Sequence, residues 1–217
     1  MSDFASFGDL NHDGVNEGAV VVYENYGGTG DFGFLVLYSD QNGKPVFVNS
    51  VMIDDRPQIN RVAFQGDEVF LDATIHGSQD PGCCPALPTI QQYRLIGSSL
   101  RLSKYTTNTP AGDKRELFIN SPVDGTQVNG SVQVQGNVSI APFENTLSFA
   151  VYNENYAQLT TGAINVTAPD LGKPGTFDAT IDLSMVPSGS KIFLQIEDVS
   201  AADGSILAMD SVPLVVK

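Results

Sequence analysis

The sequence predicts an all-β protein with an N-terminal antiparallel β-meander domain and a C-terminal seven-stranded immunoglobulin-like β-sandwich. Short runs of β-branched and aromatic residues recur along the 217 residues, and clusters of Gly, Asn, Asp and Pro separate them. Few stretches carry the 3.6-residue apolar periodicity of a helix. Charged residues make up only 17% of the chain and apolar residues 41%, which indicates a packed core.

The N-terminal domain is predicted to span residues 1–105. Asn42-Gly43 and Gly66-Asp67 lie between neighbouring apolar runs, and Asn-Gly is a strong signal for a tight β-hairpin. Consecutive hairpins predict an antiparallel meander with a half-buried sheet. The predicted strands are Ala19–Glu24, Gly33–Tyr38, Pro45–Met52, Asn60–Phe64, Glu68–Ile75, Thr89–Leu95 and Leu100–Tyr105.

A polar segment of residues 106–115, which contains Pro110 and Gly112, is the predicted linker to a second domain of residues 116–217. Val132 and Val134 alternate with glutamines, so the valines are predicted to face a core. Seven strands in about 100 residues are typical of an immunoglobulin-like sandwich. The predicted strands are Glu116–Asn120, Ser131–Val138, Thr146–Tyr152, Gln158–Val166, Thr176–Leu183, Lys191–Val199 and Ile206–Val216.

Two motifs in the second domain point to a family. Residues 119–128 read Ile-Asn-Ser-Pro-Val-Asp-Gly-Thr-Gln-Val, and residues 142–147 read Pro-Phe-Glu-Asn-Thr-Leu. With these motifs, residues 116–217 resemble the immunoglobulin-like module associated with bacterial spore-germination and other envelope lipoproteins. The resemblance implies an exported bacterial protein and brings no catalytic residues. We therefore expect an extracellular or cell-envelope protein whose leader or anchor is absent from this chain.

The charge of the chain excludes some partners. The formal net charge is −14, from 11 Lys and Arg against 25 Asp and Glu, and no cluster of basic residues occurs. A phosphate backbone would be repelled, so we expect no nucleic-acid binding. No apolar run approaches the roughly 20 residues that cross a membrane as a helix, so we expect no direct membrane insertion.

The sharpest motif is D-x-N-x-D-G-x-x-E at residues 9–17. Oxygen ligands at positions one, three and five suit Ca²⁺, and the glycine at position six allows the turn. This segment resembles the short calcium loops of β-propeller cell-surface repeats and dockerin-like modules. We expect a structural Ca²⁺ here; the alternative is an Asx-rich turn that binds nothing. The predicted ligands are Asp9, Asn11, Asp13, the Val15 carbonyl and Glu17.

Both cysteines of the chain are adjacent, as Cys83-Cys84 in a loop rich in Gly and Pro. Three interpretations are open. The first is a vicinal disulfide that rigidifies the loop in an oxidising compartment. The second is a pair of free or separately bonded thiols. The third is a soft-metal site with His76, which lacks a clear fourth ligand.

The residue inventory argues against an enzyme. His12 and His76 are the only histidines, and neither a G-x-S-x-G elbow nor a P-loop is present. We therefore expect no catalytic residues; carboxylate-only glycoside hydrolysis is the chemistry that this argument excludes least.

The expected function is a structural or interaction protein of the cell envelope or extracellular space. Its partners would be a second copy, other envelope proteins or cell-wall polysaccharide, and self-assembly into a surface filament by strand addition is one form of the hypothesis. Asn60–Phe64 and Val212–Val216 are the predicted sheet edges. The alternative function is a carbohydrate- or ligand-binding accessory module of a larger secreted protein. Exposed aromatics would favour the alternative, whereas the absence of Trp counts against it.

Overall fold

A computed structural model describes residues 4–217, and the fold is all-β with antiparallel sheets, as predicted. The chain divides into two compact units. The first ends at Leu102 and the second is Ser103–Lys217, so the division falls within strand β8, Ser99–Asn108.

The first unit contains the predicted meander, folded into two sheets. The first sheet holds, in sequence order, β1 (Ala5–Gly8), β2 (Glu17–Glu24), β3 (Phe32–Asp40) and β4 (Pro45–Asp55). The second holds β5 (Gln58–Gln65), β6 (Glu68–Ile75), β7 (Leu87–Ile96) and the start of β8. Both sheets contribute to one core, in which Leu35 and Leu37 join Val62, Val69 and Leu71.

Turn chemistry explains why the first sheet is a meander. Asn42 and Gly43 both have positive φ, 57° and 78°. A two-residue turn with two positive φ angles follows the twist of the flanking strands, and Asn-Gly adopts it readily. The β3–β4 hairpin therefore forms at the position that the sequence predicts.

The second unit is the predicted seven-stranded immunoglobulin-like sandwich with two short additions. One sheet pairs β10 (Leu117–Ser121), β12 (Ser131–Val138) and β15 (Gly175–Asp182). The other pairs β14 (Gln158–Thr167), β13 (Thr146–Asn153), β16 (Lys191–Val199) and β17 (Ile206–Val216). The additions are β9 (Lys114–Arg115), which pairs with β8, and β11 (Thr126–Val128), which runs parallel to β17. A 3-10 turn, Phe143–Asn145, precedes β13.

The core of the second unit follows the alternation read from the sequence. Val132 and Val134 are buried and pack with Phe177, Ile181 and other apolar residues, while the intervening side chains face solvent. Burying apolar side chains on one face of each sheet supplies the main driving force for such a fold.

The two predicted sheet edges have different outcomes. Asn60–Phe64 lies in β5, the last strand of its sheet. The prediction for Val212–Val216 is wrong, because β16 pairs with this segment on one side and β11 on the other. The residues of β11 follow a proline and a glycine, and the sequence pattern did not reveal them as a strand.

Candidate functional site

Four of the predicted calcium ligands lie in one largely exposed loop between β1 and β2, and the fifth, Glu17, is the first residue of β2. Asp9 accepts hydrogen bonds from the backbone N–H groups of Asp13, at 3.1 Å, and Gly14, at 2.9 Å. Asn11 Oδ1 accepts one from Asp13 N at 3.0 Å, and Asp13 Oδ1 accepts one from Val15 N at 2.8 Å. The loop is therefore a set of Asx turns in which the side-chain oxygens satisfy backbone donors.

Glu17, the last predicted ligand, differs from the others because it is only 2% exposed. Its Oε2 accepts a hydrogen bond from Leu10 N at 2.8 Å. Burial raises the pKa of Glu17, the Leu10 N–H opposes this, and the nearby carboxylates of Asp13 and Asp9 raise it further. A buried carboxylate thus lies beside two groups of the same charge.

The loop does not have the form of a preformed metal site. Within residues 4–217, no three His, Cys, Asp or Glu side chains are grouped so that they could hold a metal ion. The loop gathers the five predicted groups in one segment, but side-chain oxygens of Asp9, Asn11, Asp13 and Glu17 accept hydrogen bonds from backbone N–H groups. Calcium binding stays a prediction.

The cysteine loop joins β6 to β7. Cys83 and Cys84 form a disulfide with each other and are exposed. Asp80 closes the base of the loop, since its Oδ2 accepts hydrogen bonds from Gly77 N at 2.8 Å and Ala86 N at 2.7 Å. These two bonds lower the pKa of Asp80. The loop is therefore fixed at its base and crosslinked at its tip.

His76 precedes this loop and pairs with a carboxylate. Its Nδ1 lies 2.8 Å from Asp54 Oδ2, and the same oxygen accepts a hydrogen bond from the His76 backbone N at 2.5 Å. The hydrogen bond to Asp54 raises the pKa of His76, which stabilises the imidazolium form. The disulfide works against the soft-metal interpretation, because bridged cysteines provide no thiolate ligands to combine with His76.

Arg56 joins three loops of the first unit. Its φ is 50°, in the left-handed region that favours glycine. Its guanidinium donates to Asp55 Oδ2 at 2.9 Å, to the carbonyl of Gly82 and to the carbonyl of Thr29. A groove of about 730 Å³ lies between these loops. It is lined by Thr29, Gly30, Phe32, Asp55, Arg56, Gly82 and Cys83.

The outer face of the β1–β4 sheet is apolar. The register places Phe7 opposite Gly18, Gly18 opposite Tyr38 and Tyr38 opposite Phe47, so these residues form one row across four strands. A Cβ added to Gly18 would lie 3.0 Å from the Phe7 ring, so the ring covers the glycine. Phe7 is 76% exposed and Phe47 59%. The two adjacent rows are Ala5, Val20, Val36 and Ser50, then Val22, Phe34 and Met52.

These three rows define what we call the docking face. Ser50 is the one polar residue within them, and Met52 is 52% exposed. Tyr38 and Phe47 are in edge-to-face contact, with ring centroids 6.3 Å apart. An antiparallel sheet usually turns a polar face to water, so the composition of this face is exceptional.

The fold of the second unit defines it as an immunoglobulin-like domain, and the family model agrees. Residues 116–205 match the model of the immunoglobulin-like domain of bacterial spore germination, which confirms the resemblance drawn from the sequence. The match covers less than half of the chain, and a domain family of this kind is not typically enzymatic. No curated protein matches the chain. Among residues 4–217, no helix has the length and apolar character needed to cross a membrane.

Sequence reasoning missed the docking face and the Arg56 groove. One signal was present for the face: β3 reads Phe-Gly-Phe-Leu-Val-Leu-Tyr, a run that is apolar at every position. Such a run indicates a strand whose two faces both meet apolar surroundings. Arg56 carries no comparable signal, because its role depends on loops that are distant in sequence.

Proposed function

We propose that the chain is a non-enzymatic interaction protein of the bacterial cell envelope or extracellular space, and that a second copy of it packs against the docking face. The observation that carries the proposal is the exposure of Phe7, Phe47 and Met52 on one continuous apolar surface. A contiguous apolar patch of a few hundred Å² on a soluble protein is often functional and marks an interaction site.

The size of the docking face predicts a weak association. The eleven residues of the three rows, each occupying about 4.8 Å across the strands and about 6.7 Å along them, cover roughly 350 Å². A standard stable interface buries about 800 Å² on each partner. The face alone therefore supports a dimer that dissociates readily, and stronger assembly would need additional surface.

The shape of the face favours a closed pair. Two copies that present the same face to each other are related by a twofold axis, as in most homodimers. The β4 edge suits strand addition less well, because Val48 and Ile53 lie at register shifts in its pairing with β3. Bulges at an edge interrupt the row of free backbone groups that an added strand would use.

Charge sets the salt dependence of this dimer. Each copy carries a net charge of −14, so two copies repel each other. Glu24 and Asp40 adjoin the docking face, whereas its three rows carry no charge. Salt screens the repulsion, with a Debye length of about 8 Å at physiological ionic strength, and leaves the apolar contact intact. Association should therefore strengthen with salt.

We also propose that the loop of residues 9–17 holds a structural Ca²⁺. The residues fit the ion by type, since they supply carboxylate and amide oxygens within one short segment. Like-charge repulsion among Asp9, Asp13 and the buried Glu17 supports the proposal, because a divalent cation would relieve it. Binding would require the side-chain oxygens of the Asx turns to be shared with the ion.

Sedimentation equilibrium tests the dimer, over a range of protein concentrations at low salt and at about 0.5 M NaCl. We expect reversible dimerisation that strengthens with salt. Phe47→Ser should weaken it about tenfold, because exposed aromatics dominate interfaces of this kind. Met185→Ser, an exposed apolar residue of the second unit, is the matched control and should change nothing. A monomer under every condition, or equal effects of both substitutions, would contradict the proposal.

A further inference from the structure

The groove beside Arg56 has an aromatic wall. Tyr26 is 72% exposed, and its ring centroid lies 5.7 Å from that of Phe32, with the rings tilted by 40°. The Phe32 ring lies over Gly30, since a Cβ added there would be 2.8 Å from it. The Tyr26 hydroxyl donates to Glu24, which fixes the orientation of the ring. Phe32 is thus the aromatic residue that lines the groove, and Tyr26, which is not among the lining residues, packs against the Phe32 ring.

The opposite wall is the tip of the disulfide loop. Gly82 and Cys83 line the groove there, and the Cys83–Cys84 bond restricts the backbone that carries them. Arg56 ties this tip to the aromatic side, because it donates both to the Gly82 carbonyl and to the Thr29 carbonyl. The two walls are therefore preorganised relative to each other, which lowers the entropic cost of binding a ligand between them.

The floor of the groove supplies hydrogen-bonding groups without a net charge. Asp55 Oδ2 pairs with Arg56 at 2.9 Å, and its Oδ1 accepts a hydrogen bond from Asp31 N at 2.8 Å. Each carboxylate oxygen has more than one lone pair, so Asp55 can still accept hydrogen bonds from hydroxyl groups. Glu24 and Asp31 lie close by, and the chain as a whole is strongly acidic. An anionic ligand would be repelled.

We propose that this groove binds a neutral saccharide, with a sugar ring lying against Phe32, which the Tyr26 ring supports, and its hydroxyls donating to Asp55. A pyranose ring with equatorial hydroxyls has a flat C–H face, which packs on an aromatic ring, and a polar rim, which needs carboxylate or carbonyl acceptors. The groove offers both within one preformed space of about 730 Å³. The groove adjoins the docking face, because Glu24, Phe32 and Asp55 form the next row of the same sheet, but it uses none of the residues that define that face.

Amide chemical-shift titration of the whole chain tests the proposal with three defined probes. Chitotetraose and cellotetraose are neutral β-1,4-linked tetrasaccharides, and tetragalacturonic acid is an anionic one. We expect the neutral probes to shift the amides of residues 29–32 and 82–84 with millimolar or tighter affinity. The anionic probe should bind at least about tenfold more weakly. Absence of shifts with both neutral probes, or equal binding of the anionic probe, would overturn the proposal.

Variants of the exposed aromatics locate the site without risk to the fold. Tyr26→Ala should raise the Kd for the neutral probe about tenfold, because it removes the ring that packs against Phe32 and holds it in place at the groove. Tyr26→Phe retains the ring and should bind nearly as well as the native chain. Phe143→Ala removes an exposed aromatic from the second unit and is the matched control. If Phe143→Ala weakens binding as much as Tyr26→Ala, the saccharide binds apolar surface in general and the groove is not the site.

Reduction tests the role of the disulfide loop as a wall. Dithiothreitol transfers two electrons and two protons to the Cys83–Cys84 bond, which becomes two thiols while the reagent closes to its cyclic disulfide. We expect the Kd for the neutral probe to rise about threefold on reduction, with amide shifts outside the loop unchanged. An unchanged Kd after complete reduction would remove the loop from the proposed site.

Discussion

The outer faces of the sheets differ in polarity between the two units. In the second unit, Gln133 and Gln135 face outward from β12 and donate to the two carboxylate oxygens of Asp178 on β15, at 2.9 and 2.7 Å. In the first unit, the corresponding outward positions hold Phe7, Tyr38 and other apolar residues. The inner faces of both units are built on the same alternation of buried apolar residues.

This difference shows which faces of the sheets are constrained by folding and which are free to be used for recognition. A sandwich needs its inner faces to be apolar, and the outer faces are free to vary. The hydrogen bonds from Gln133 and Gln135 lower the pKa of Asp178, as expected for a carboxylate that is stabilised in its charged form. The second unit thus presents satisfied polar groups to water. The first unit exposes aromatic rings and a crosslinked loop, and both proposed binding surfaces lie in it.

The largest difference in stability between the two units is expected when glycines that face aromatic rings are replaced by alanine. A Cβ at Gly136 would lie 2.2 Å from the Phe118 carbonyl oxygen and 2.2 Å from the Phe177 ring, both fixed in the second unit. A Cβ at Gly18 would lie 3.0 Å from the exposed Phe7 ring, which can turn away. Gly136→Ala should therefore cost about 3 kcal/mol of unfolding free energy, and Gly18→Ala less than about 1 kcal/mol.

Urea unfolding followed by fluorescence or circular dichroism measures both variants. Similar losses for Gly136→Ala and Gly18→Ala would show that the docking face is packed as tightly as the core of the second unit. That result would remove the distinction between a variable outer face and a fixed inner one.

The second difference between the two units concerns their buried carboxylates, Asp198 in the second unit and Glu17 in the first. Asp198 in the second unit is 1% exposed and pairs with Arg115 Nη1 at 2.6 Å, while within residues 4–217 its Oδ1 finds no hydrogen-bond partner. Burial raises the pKa of Asp198, and Arg115 opposes this. Arg115→Met should cost about 2 kcal/mol at pH 7, because it leaves the buried Asp198 carboxylate unpaired, while the partial exposure of Arg115 moderates the loss.

The sign of the pH dependence follows from the direction of this pKa. A carboxyl group whose pKa is raised on folding stabilises the fold less as the pH increases from its ordinary range through the raised value. Removal of Arg115 extends that loss toward neutral pH, so the cost of Arg115→Met should shrink when the pH is lowered to about 5. The double variant Arg115→Met with Asp198→Leu should recover most of the stability. A cost that does not depend on pH would mean that Arg115 acts through packing alone.

Most of the fold could be predicted from the sequence, for a physical reason. Each of the fourteen predicted strands corresponds to a strand of the structure, because alternation and turn residues act over short distances. The elements that were missed, β1, β9 and β11, have only four, two and three residues, and tertiary pairing holds them in place. Local propensity carries little information about segments of that length.

The candidate sites were predicted less completely. The residues of the acidic loop and the cysteine pair are contiguous, so the sequence reveals them directly. The Arg56 groove brings together residues around Thr29, Asp55 and Gly82, and nothing in the local sequence connects these positions. The docking face depends on which strands become neighbours and on which face is left without a covering layer, and both are tertiary properties.

The smallest expected change in stability concerns Glu17 in the acidic loop. The surroundings of this carboxylate differ from those of Asp198. Both carboxylates are buried with a raised pKa, but Asp198 has Arg115 beside it, whereas Glu17 has Asp9 and Asp13. Glu17→Gln keeps an oxygen for the Leu10 N–H and removes the charge. At neutral pH in EDTA, this variant should melt about 3 °C higher than the native chain, because the charged form of Glu17 is the destabilising one.

Calcium should reverse the order of the melting temperatures of the native chain and the Glu17→Gln variant. If the loop binds Ca²⁺, millimolar Ca²⁺ should raise the melting temperature of the native chain by a few degrees, since a ligand that binds only the folded state stabilises it. The same addition should change Glu17→Gln much less, because one charged ligand has been lost. Glu154→Gln, which alters an exposed carboxylate of the second unit, is the control and should respond to Ca²⁺ like the native chain. Equal responses of all three proteins would place any bound Ca²⁺ outside this loop, and no response of the native chain would leave an Asx-rich turn in which Glu17 is simply a buried charge.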